Sequence, residues 1–174
     1  MTELEMKKYS RNALLGSFVS MLTAGLATMM YSVSISTIRT DLALTAVQAG
    51  SLGTYTFMGQ MLGGMVAGYL ADRYGRKNIL IVDVILATLA VFATSLLQSY
   101  SIFGILRFIT GVGLGGCYYI ASILIGEFVP TNKRGFMSGV ATSVWNFGYV
   151  VCCAMSAFAL PSIGWRWCFR ICAL

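Results

Sequence analysis

The side chains that could carry chemistry in this chain are a few charged residues inside or between long apolar runs. Arg107 and Asp83 each interrupt a run that is otherwise uncharged. An unpaired charge in an apolar environment costs free energy, so such residues usually face a partner or a cavity. Arg107 could therefore bind an anion, and Asp83 could bind and release a proton.

A second group of charges forms a short loop between two apolar runs. This charged loop is defined by Gly68, Asp72, Arg73, Gly75, Arg76 and Lys77. Gly75 can adopt a positive φ at little cost, which suits a tight turn. The Asp72 carboxylate can pair with Arg76 or cap a helix N-terminus, and Glu127 could be the acidic partner of Arg76 or Arg134. The alternative is a loop whose basic residues merely hold it at the cytoplasmic surface.

Composition indicates a membrane protein and excludes several kinds of chemistry. Hydrophobic residues make up 57% of the 174 residues and charged residues only 10%, whereas soluble domains carry about 25% charged residues. The 12 Lys and Arg residues form short clusters between apolar runs, which favours a membrane surface over nucleic acid. The chain has no histidine, so Ser-His-Asp catalysis, Cys-His catalysis and His-ligated metal sites are excluded. We expect neither an enzyme nor a metal site nor a bound cofactor.

Charge-free length predicts an all-α membrane protein. About 20 apolar residues form a helix that crosses the hydrocarbon layer. The runs predict a tail at 1–11 and one transmembrane domain at 12–174, with helices at about 12–38, 48–71, 79–97, 101–126 and 136–160 and the start of a sixth at 165. Pro161 is predicted to end the fifth helix.

The distribution of Lys and Arg predicts the orientation. Eight of the twelve fall on the cytoplasmic side if the N-terminus is cytoplasmic, as the excess of basic residues in cytoplasmic loops requires. We expect a multi-pass protein of the plasma (inner) membrane. Arg107 would lie about 9 Å inside the outer end of its helix at 1.5 Å per residue, where it could face a cavity or extend to the outer headgroups. Asp83 would lie in the opposite leaflet, where it could pair with the charged loop or take part in coupling.

Glycine spacing predicts close helix packing. Small residues recur every fourth position in the second span, at Gly59, Gly63, Ala67 and Ala71. Such a stripe lets two helix backbones approach each other. The pairs Gly111/Gly115 and Gly135/Gly139 predict the same contact for the fourth and fifth spans, and several stripes together predict a compact bundle.

The charged loop, with the pattern Gly68-x-x-x-Asp72-Arg73-x-Gly75-Arg76-Lys77, closely resembles the signature loop between helices 2 and 3 of the major facilitator superfamily of secondary transporters. Three other segments are similar to motifs of that family: Arg107-x-x-x-Gly111-x-Gly113, Glu127-x-x-Pro130-x-x-x-Arg134-Gly135, and Gly164-Trp165-Arg166-Trp167-Cys168-Phe169. The resemblance covers nearly the whole chain. It implies the N-terminal six-helix half of a twelve-helix bundle, truncated at the start of helix 6, and is strongest to branches of proton symporters for sugars, metabolites and organic acids.

The resemblance implies roles for these residues. The charged loop would be part of a cytoplasmic latch that stabilises the outward-open state, with Glu127 and Arg134 as latch partners. Arg107 and Asp83 would serve substrate or proton coupling. The fifth span has no proline before Leu160, unlike antiporter branches, which favours symport or uniport. The side chains that could line a solute cavity are Tyr31, Tyr55, Gln60, Trp145 and Asn146.

We expect secondary active transport of a small organic solute, such as a metabolite, an organic acid or a sugar-like compound, by proton-coupled symport and alternating access. The proton gradient would supply the energy without a cofactor. The expected partners are the lipid bilayer, the solute, H⁺ and the missing C-terminal half, but no nucleic acid. The alternative is a truncated membrane protein that does not transport and acts as an interaction module.

Overall fold

The computed structural model describes residues 3–96 and 99–173, and within these ranges all regular structure is helical. The helices are α1 (Glu3–Asp41), α2 (Ala46–Tyr74), α3 (Arg76–Thr94), α4 (Tyr100–Phe128), α5 (Arg134–Ile163) and α6 (Trp165–Cys172), with a 3₁₀ turn at Thr131–Lys133. The predicted all-α fold class is confirmed.

Two helix ends differ from the sequence-based boundaries. Helix α1 begins at Glu3, so most of the segment predicted as a tail extends the first helix. Helix α5 continues to Ile163, beyond the predicted end at Pro161. A proline lacks the N–H that bonds to the carbonyl four residues earlier, and in a last turn that loss affects only one bond.

Four segments of the described residues are long and apolar enough to cross a membrane. They are Arg11–Asp41, Arg76–Thr94, Tyr100–Phe128 and Thr131–Phe158. Helix α2 is 29 residues long but is not among these four, because its glycines and polar side chains lower its hydropathy. Its place in the bundle follows from its packing on α4.

Small residues bring α2 and α4 into backbone contact, as the glycine spacing predicts. A Cβ atom at Gly63 would overlap the backbone of Val112, and one at Gly59 would overlap the carbonyl of Phe108. From the other side, a Cβ at Gly111 would meet the carbonyl of Thr56. Larger side chains would therefore force the two helices apart.

Helices α1 and α5 approach through a different pair of glycines. A Cβ on Gly25 would overlap the backbone of Trp145, and a Cβ on Gly148 would lie 2.9 Å from the backbone nitrogen of Leu26. The predicted packing of Gly135 and Gly139 is wrong, because nothing lies within 4 Å of a Cβ at either position and both are exposed.

Local sequence determines the turns before and after α2. The Thr45 hydroxyl accepts the backbone N–H of Gln48, whose side-chain oxygen accepts the N–H of Thr45 at 2.9 Å. This reciprocal cap satisfies two free donors at the start of α2. At the other end, Gly75 has φ of 90° and donates its N–H to the Ala71 carbonyl at 3.0 Å. A side chain at Gly75 would be strained, as the predicted tight turn requires.

The start of α6 is fixed to the end of α1. The Trp165 indole N–H donates to Asp41 Oδ2 at 3.0 Å, and Arg166 pairs with the same carboxylate oxygen at 2.8 Å. The buried rings of Trp165 and Phe169 meet edge to face with centroids 5.7 Å apart. The end of α1 and the start of α6 are thus held together.

Candidate solute cavity and charged loop

Arg107 is a buried, unpaired cation within the bundle. The residue is 1% exposed, so it does not extend to the membrane surface. Its Nε and Nη1 atoms are buried without a hydrogen-bond partner. None of the ion pairs among the described residues includes it. These N–H groups are free to bind an anionic group, as the sequence-based reading of Arg107 requires.

The ring of Tyr31 covers the guanidinium group of Arg107. The guanidinium carbon lies 3.9 Å from the Tyr31 ring centroid and 5.9 Å from that of Phe169. The Tyr31 hydroxyl donates to the Ala49 carbonyl at 2.6 Å. Tyr31 therefore joins α1 to the start of α2 and holds a cation from α4 by its π-face.

Arg107 also lines a cavity of 260 Å³ between α1 and α2, here called the arginine cavity. The predicted cavity residue Tyr31 lies in its wall. The other lining residues are Thr28, Ser32, Ile35, Ala49, Gly50, Gly53, Thr56 and Phe57.

A larger cavity of 490 Å³ adjoins the arginine cavity, and the two share Thr28 and Phe57. We call it the aromatic cavity. Its remaining lining residues are Ala24, Gln60, Met61, Leu114, Gly115, Tyr118, Tyr119, Thr142 and Trp145. The predicted cavity residues Gln60 and Trp145 are among them.

The aromatic cavity lies at half the height of four helices. Gln60 is the middle residue of α2 and Leu114 that of α4, while Ala24 and Trp145 lie within four residues of the middle of α1 and of α5. Solute sites of secondary transporters typically lie at this depth, where the two halves of the transporter meet. The aromatic cavity therefore lies at the depth expected for a solute site.

Two predicted cavity residues lie elsewhere. Tyr55 lines a separate cavity with Tyr100 and Phe108. At 100° per residue, Tyr55 points to the side of α2 opposite Phe57. Asn146 is exposed and donates its side-chain amide to the Thr142 carbonyl at 2.9 Å.

Sequence reasoning missed the aromatic residues Phe57, Tyr118 and Tyr119. Helical spacing could have identified Tyr118, because it follows Arg107 by eleven residues, close to three full turns of α4. Phe57 shares its helix face with Gln60, three residues further on. No comparable sequence signal marks Tyr119, because a tyrosine in an apolar helix faces lipid as often as it faces a cavity.

Asp83 lies in the bundle interior, away from Arg107. Its Oδ2 atom is buried and has no hydrogen-bond partner. A Cβ on Gly116 would overlap this carboxylate, and a Cβ on Gly113 would lie 2.7 Å from the Asp83 carbonyl oxygen. Among the residues that the structure describes, no ion pair joins Asp83 to the charged loop, which was one alternative for this residue.

Arg76 is the centre of the charged loop. Its guanidinium pairs with Glu127 at the end of α4 and, across the α2–α3 turn, with Asp72 at 3.6 Å. The Asp72 side chain is 75% exposed and that of Glu127 49%. The Glu127 contact therefore ties the α2–α3 turn to α4, whereas the Asp72 contact is local to the turn.

The other predicted loop residues have separate positions. Within the described residues no ion pair includes Arg134, which donates Nε to the Val129 carbonyl at 3.1 Å and so supports the turn before α5. The guanidinium of Arg73 lies 5.7 Å from the Tyr74 ring centroid. Lys77 lines a cavity of 210 Å³ beside α1. Gly68 has open space at its Cβ position.

No group of three or more His, Cys, Asp or Glu residues that could hold a metal ion occurs in the described part of the chain. The cavities instead offer hydroxyl, amide, aromatic and guanidinium groups. Groups of these kinds can form hydrogen bonds, ring contacts and charge interactions with an organic molecule.

Comparison with known proteins identifies the family of this chain. The profile of the Major Facilitator Superfamily matches residues 17–174. The cis,cis-muconate transport protein of Acinetobacter baylyi is 33% identical over 159 residues, which covers 91% of this chain and 38% of that protein. The niacin transporter NiaP of the same species is 34% identical over 137 residues, covering 79% of this chain and 31% of that protein.

The fold is also that of a solved transporter half. The inward-open xylose transporter XylE of E. coli superposes with a TM-score of 0.82 at 22% identity, covering 95% of this chain and 45% of XylE. The chain spans less than half the length of these proteins.

Proposed function

The chain belongs to the Major Facilitator Superfamily, and from that premise we propose that it forms the N-terminal half of a secondary transporter for small organic anions. The transporter works by alternating access, with the solute bound between this half and a C-terminal half. Membership of this family of transporters, with several apolar spans, makes the chain part of an integral multi-pass membrane protein and not an enzyme.

The observation that carries the proposal is the unpaired Arg107. Its buried Nε and Nη1 atoms lack hydrogen-bond partners, and the residue lines a cavity. Removing a cation from water is costly unless a counter-charge and hydrogen bonds compensate. A bound carboxylate supplies both, because its two oxygens match the fork of a guanidinium group. The solute thus stabilises the cation that recognises it.

The relatives support an anionic solute. Muconate and niacin, which appear in the names of two of them, are both carboxylic acids. The likeness to the xylose transporter is at 22% identity and concerns the fold alone.

Proton coupling belongs to the same proposal. Asp83 is the one acidic side chain inside the predicted spans, and its buried Oδ2 is free to accept a proton. We place the energy source in the proton gradient, so the transporter uses no cofactor. Symport would move no net charge across the membrane when the number of H⁺ equals the negative charge of the anion.

The charged loop acts in this proposal as the cytoplasmic latch. The Arg76–Glu127 contact joins the α2–α3 turn to α4, so it can favour one state of the transport cycle over another. This role requires a cytoplasmic N-terminus, which the Lys and Arg distribution predicts for a protein of the plasma membrane.

Uptake into proteoliposomes by the full-length protein tests the function. With an inward proton gradient, we expect uptake of nicotinate that other carboxylates inhibit and xylose does not. Arg107→Gln should lower uptake at least tenfold, and Arg107→Lys should recover part of it, because lysine keeps the charge but not the planar fork. Arg39→Gln, at the exposed outer end of α1, is the matched control. Full uptake by Arg107→Gln, or inhibition by xylose alone, would contradict the proposal.

A further inference from the structure

The walls of the aromatic cavity contain more aromatic rings than the binding of an anionic group alone would require. Four of its eleven lining residues are aromatic: Phe57, Tyr118, Tyr119 and Trp145. They come from three different helices, α2, α4 and α5. Three of the four are about half exposed or more, Phe57 to 65%, Tyr119 to 58% and Tyr118 to 48%. Their faces are therefore available to a ligand rather than used in the core.

Polar groups in this cavity are few. They are the Gln60 amide, the hydroxyls of Thr28 and Thr142, and the two tyrosine hydroxyls. The Thr142 hydroxyl already donates to the Ser138 carbonyl at 3.0 Å. A sugar carries a hydroxyl on almost every carbon, and each buried hydroxyl needs a partner. The cavity suits an apolar body better than a polyhydroxylated one.

The charge that lines the two adjoining cavities is positive. No acidic residue lines either of the two adjoining cavities in the described part of the chain, whereas Arg107 lines the arginine cavity. A cationic solute would find no counter-charge there. Two turns of α4, about 10 Å at 1.5 Å per residue, separate Arg107 from Leu114 in the aromatic cavity. A ligand between these levels can present a carboxylate at one end and an apolar body at the other.

We propose that the site selects planar, conjugated carboxylates, with the carboxylate directed to Arg107 and the flat body held against Trp145 and the tyrosines. Flat π-systems gain from offset or edge-to-face contact with aromatic side chains, and a saturated ring of the same size lacks this contact. The inference rests on the proposed function and adds a second, independent requirement. Arg107 recognises the charge, and the aromatic cavity recognises the flat conjugated body.

Benzoate and cyclohexanecarboxylate separate the two requirements, because they share the carboxylate and the number of carbon atoms but differ in planarity. Binding is measured by isothermal titration to the full-length protein in detergent. We expect a Kd for benzoate about three- to tenfold lower than that for cyclohexanecarboxylate, the range of one or two aromatic contacts.

Variants then locate the effect. Trp145→Leu should bring the ratio of the two Kd values close to one while cyclohexanecarboxylate still binds. Tyr119→Leu is a second variant in case Trp145→Leu does not fold, and it should also lower the ratio. Trp167→Leu is the control, because Trp167 is a half-exposed residue of α6 outside both cavities.

Each outcome decides one question. Equal Kd values for the two acids in the unmodified protein, or an unchanged ratio in both cavity variants, would overturn the selection of conjugated carboxylates and leave anion transport standing. Binding of neither acid would contradict the proposed function itself.

Discussion

Replacement of Tyr31 tests how the bundle holds a buried cation without an acidic partner. Tyr31 is 5% exposed, its ring covers the Arg107 guanidinium and its hydroxyl bonds to the Ala49 carbonyl. Tyr31→Phe keeps the ring and removes only the hydrogen bond, and Tyr31→Leu removes both. The two variants therefore measure the contributions separately.

The contacts of Tyr31 give the expected loss of unfolding free energy for each of the two variants. A buried neutral hydrogen bond contributes about 1 kcal/mol, so Tyr31→Phe should lower the free energy of unfolding by that amount. A cation–π contact away from water contributes about 2 kcal/mol, so Tyr31→Leu should lower it by about 3 kcal/mol in all. The larger loss reflects a guanidinium group that remains buried with only the more distant Phe169 ring beside it.

Chemical denaturation of the full-length protein in detergent micelles measures both values. Tyr69→Phe and Tyr69→Leu are matched controls, because Tyr69 is an exposed tyrosine on α2, and both should change the free energy of unfolding by less than about 0.5 kcal/mol. If Tyr31→Leu and Tyr31→Phe were equally stable, the ring would not stabilise the cation and the account of Arg107 would be refuted.

Two further predictions concern the α2 helix and the charged loop. Gly63→Ala should lower the free energy of unfolding by about 1–3 kcal/mol, because its Cβ would overlap the α4 backbone, whereas Gly50→Ala on the same helix has open space and should not; equal stability in denaturation would contradict the close packing. Glu127→Gln should reduce proteoliposome uptake about two- to fivefold, the effect of losing a partly exposed ion pair, and more than Asp72→Asn, which loses only the 3.6 Å contact within the turn. The reverse order would argue against the tie to α4.

The sequence predicted the features that depend on residue type and spacing along one helix. The charge-free runs located the helices, Gly75 marked the turn, and the four-residue spacing of small residues predicted the α2–α4 contact. Arg107 could be singled out because an arginine inside an apolar run is rare and costly. Each of these signals depends on a single segment of the sequence, so it can be recognised without knowing how the neighbouring helices pack.

The features that were missed depend on how the helices are rotated against each other. Tyr55 and Phe57 are two residues apart and similar in character, but 200° of helical rotation places only Phe57 at the cavity. Gly135 and Gly139 have the spacing of a packing stripe, yet α5 meets α1 through Gly148. Spacing shows that a helix can pack closely, and the neighbouring backbone decides where it does so.

Under the proposed function, the unpaired state of Arg107 has a direct consequence for how a solute would bind. Residues 12–40 of α1 contain no acidic residue, and Asp41 at the end of the helix pairs with Arg166, so no carboxylate within this stretch of α1 can pair with the guanidinium group. A solute carboxylate then meets free N–H groups, and no ion pair between side chains has to be broken first. The rings of Tyr31 and Phe169 hold the cation, and its Nε and Nη1 atoms make no hydrogen bond. The same geometry that holds the guanidinium group inside the bundle therefore leaves its N–H groups available to the anion of the proposed function.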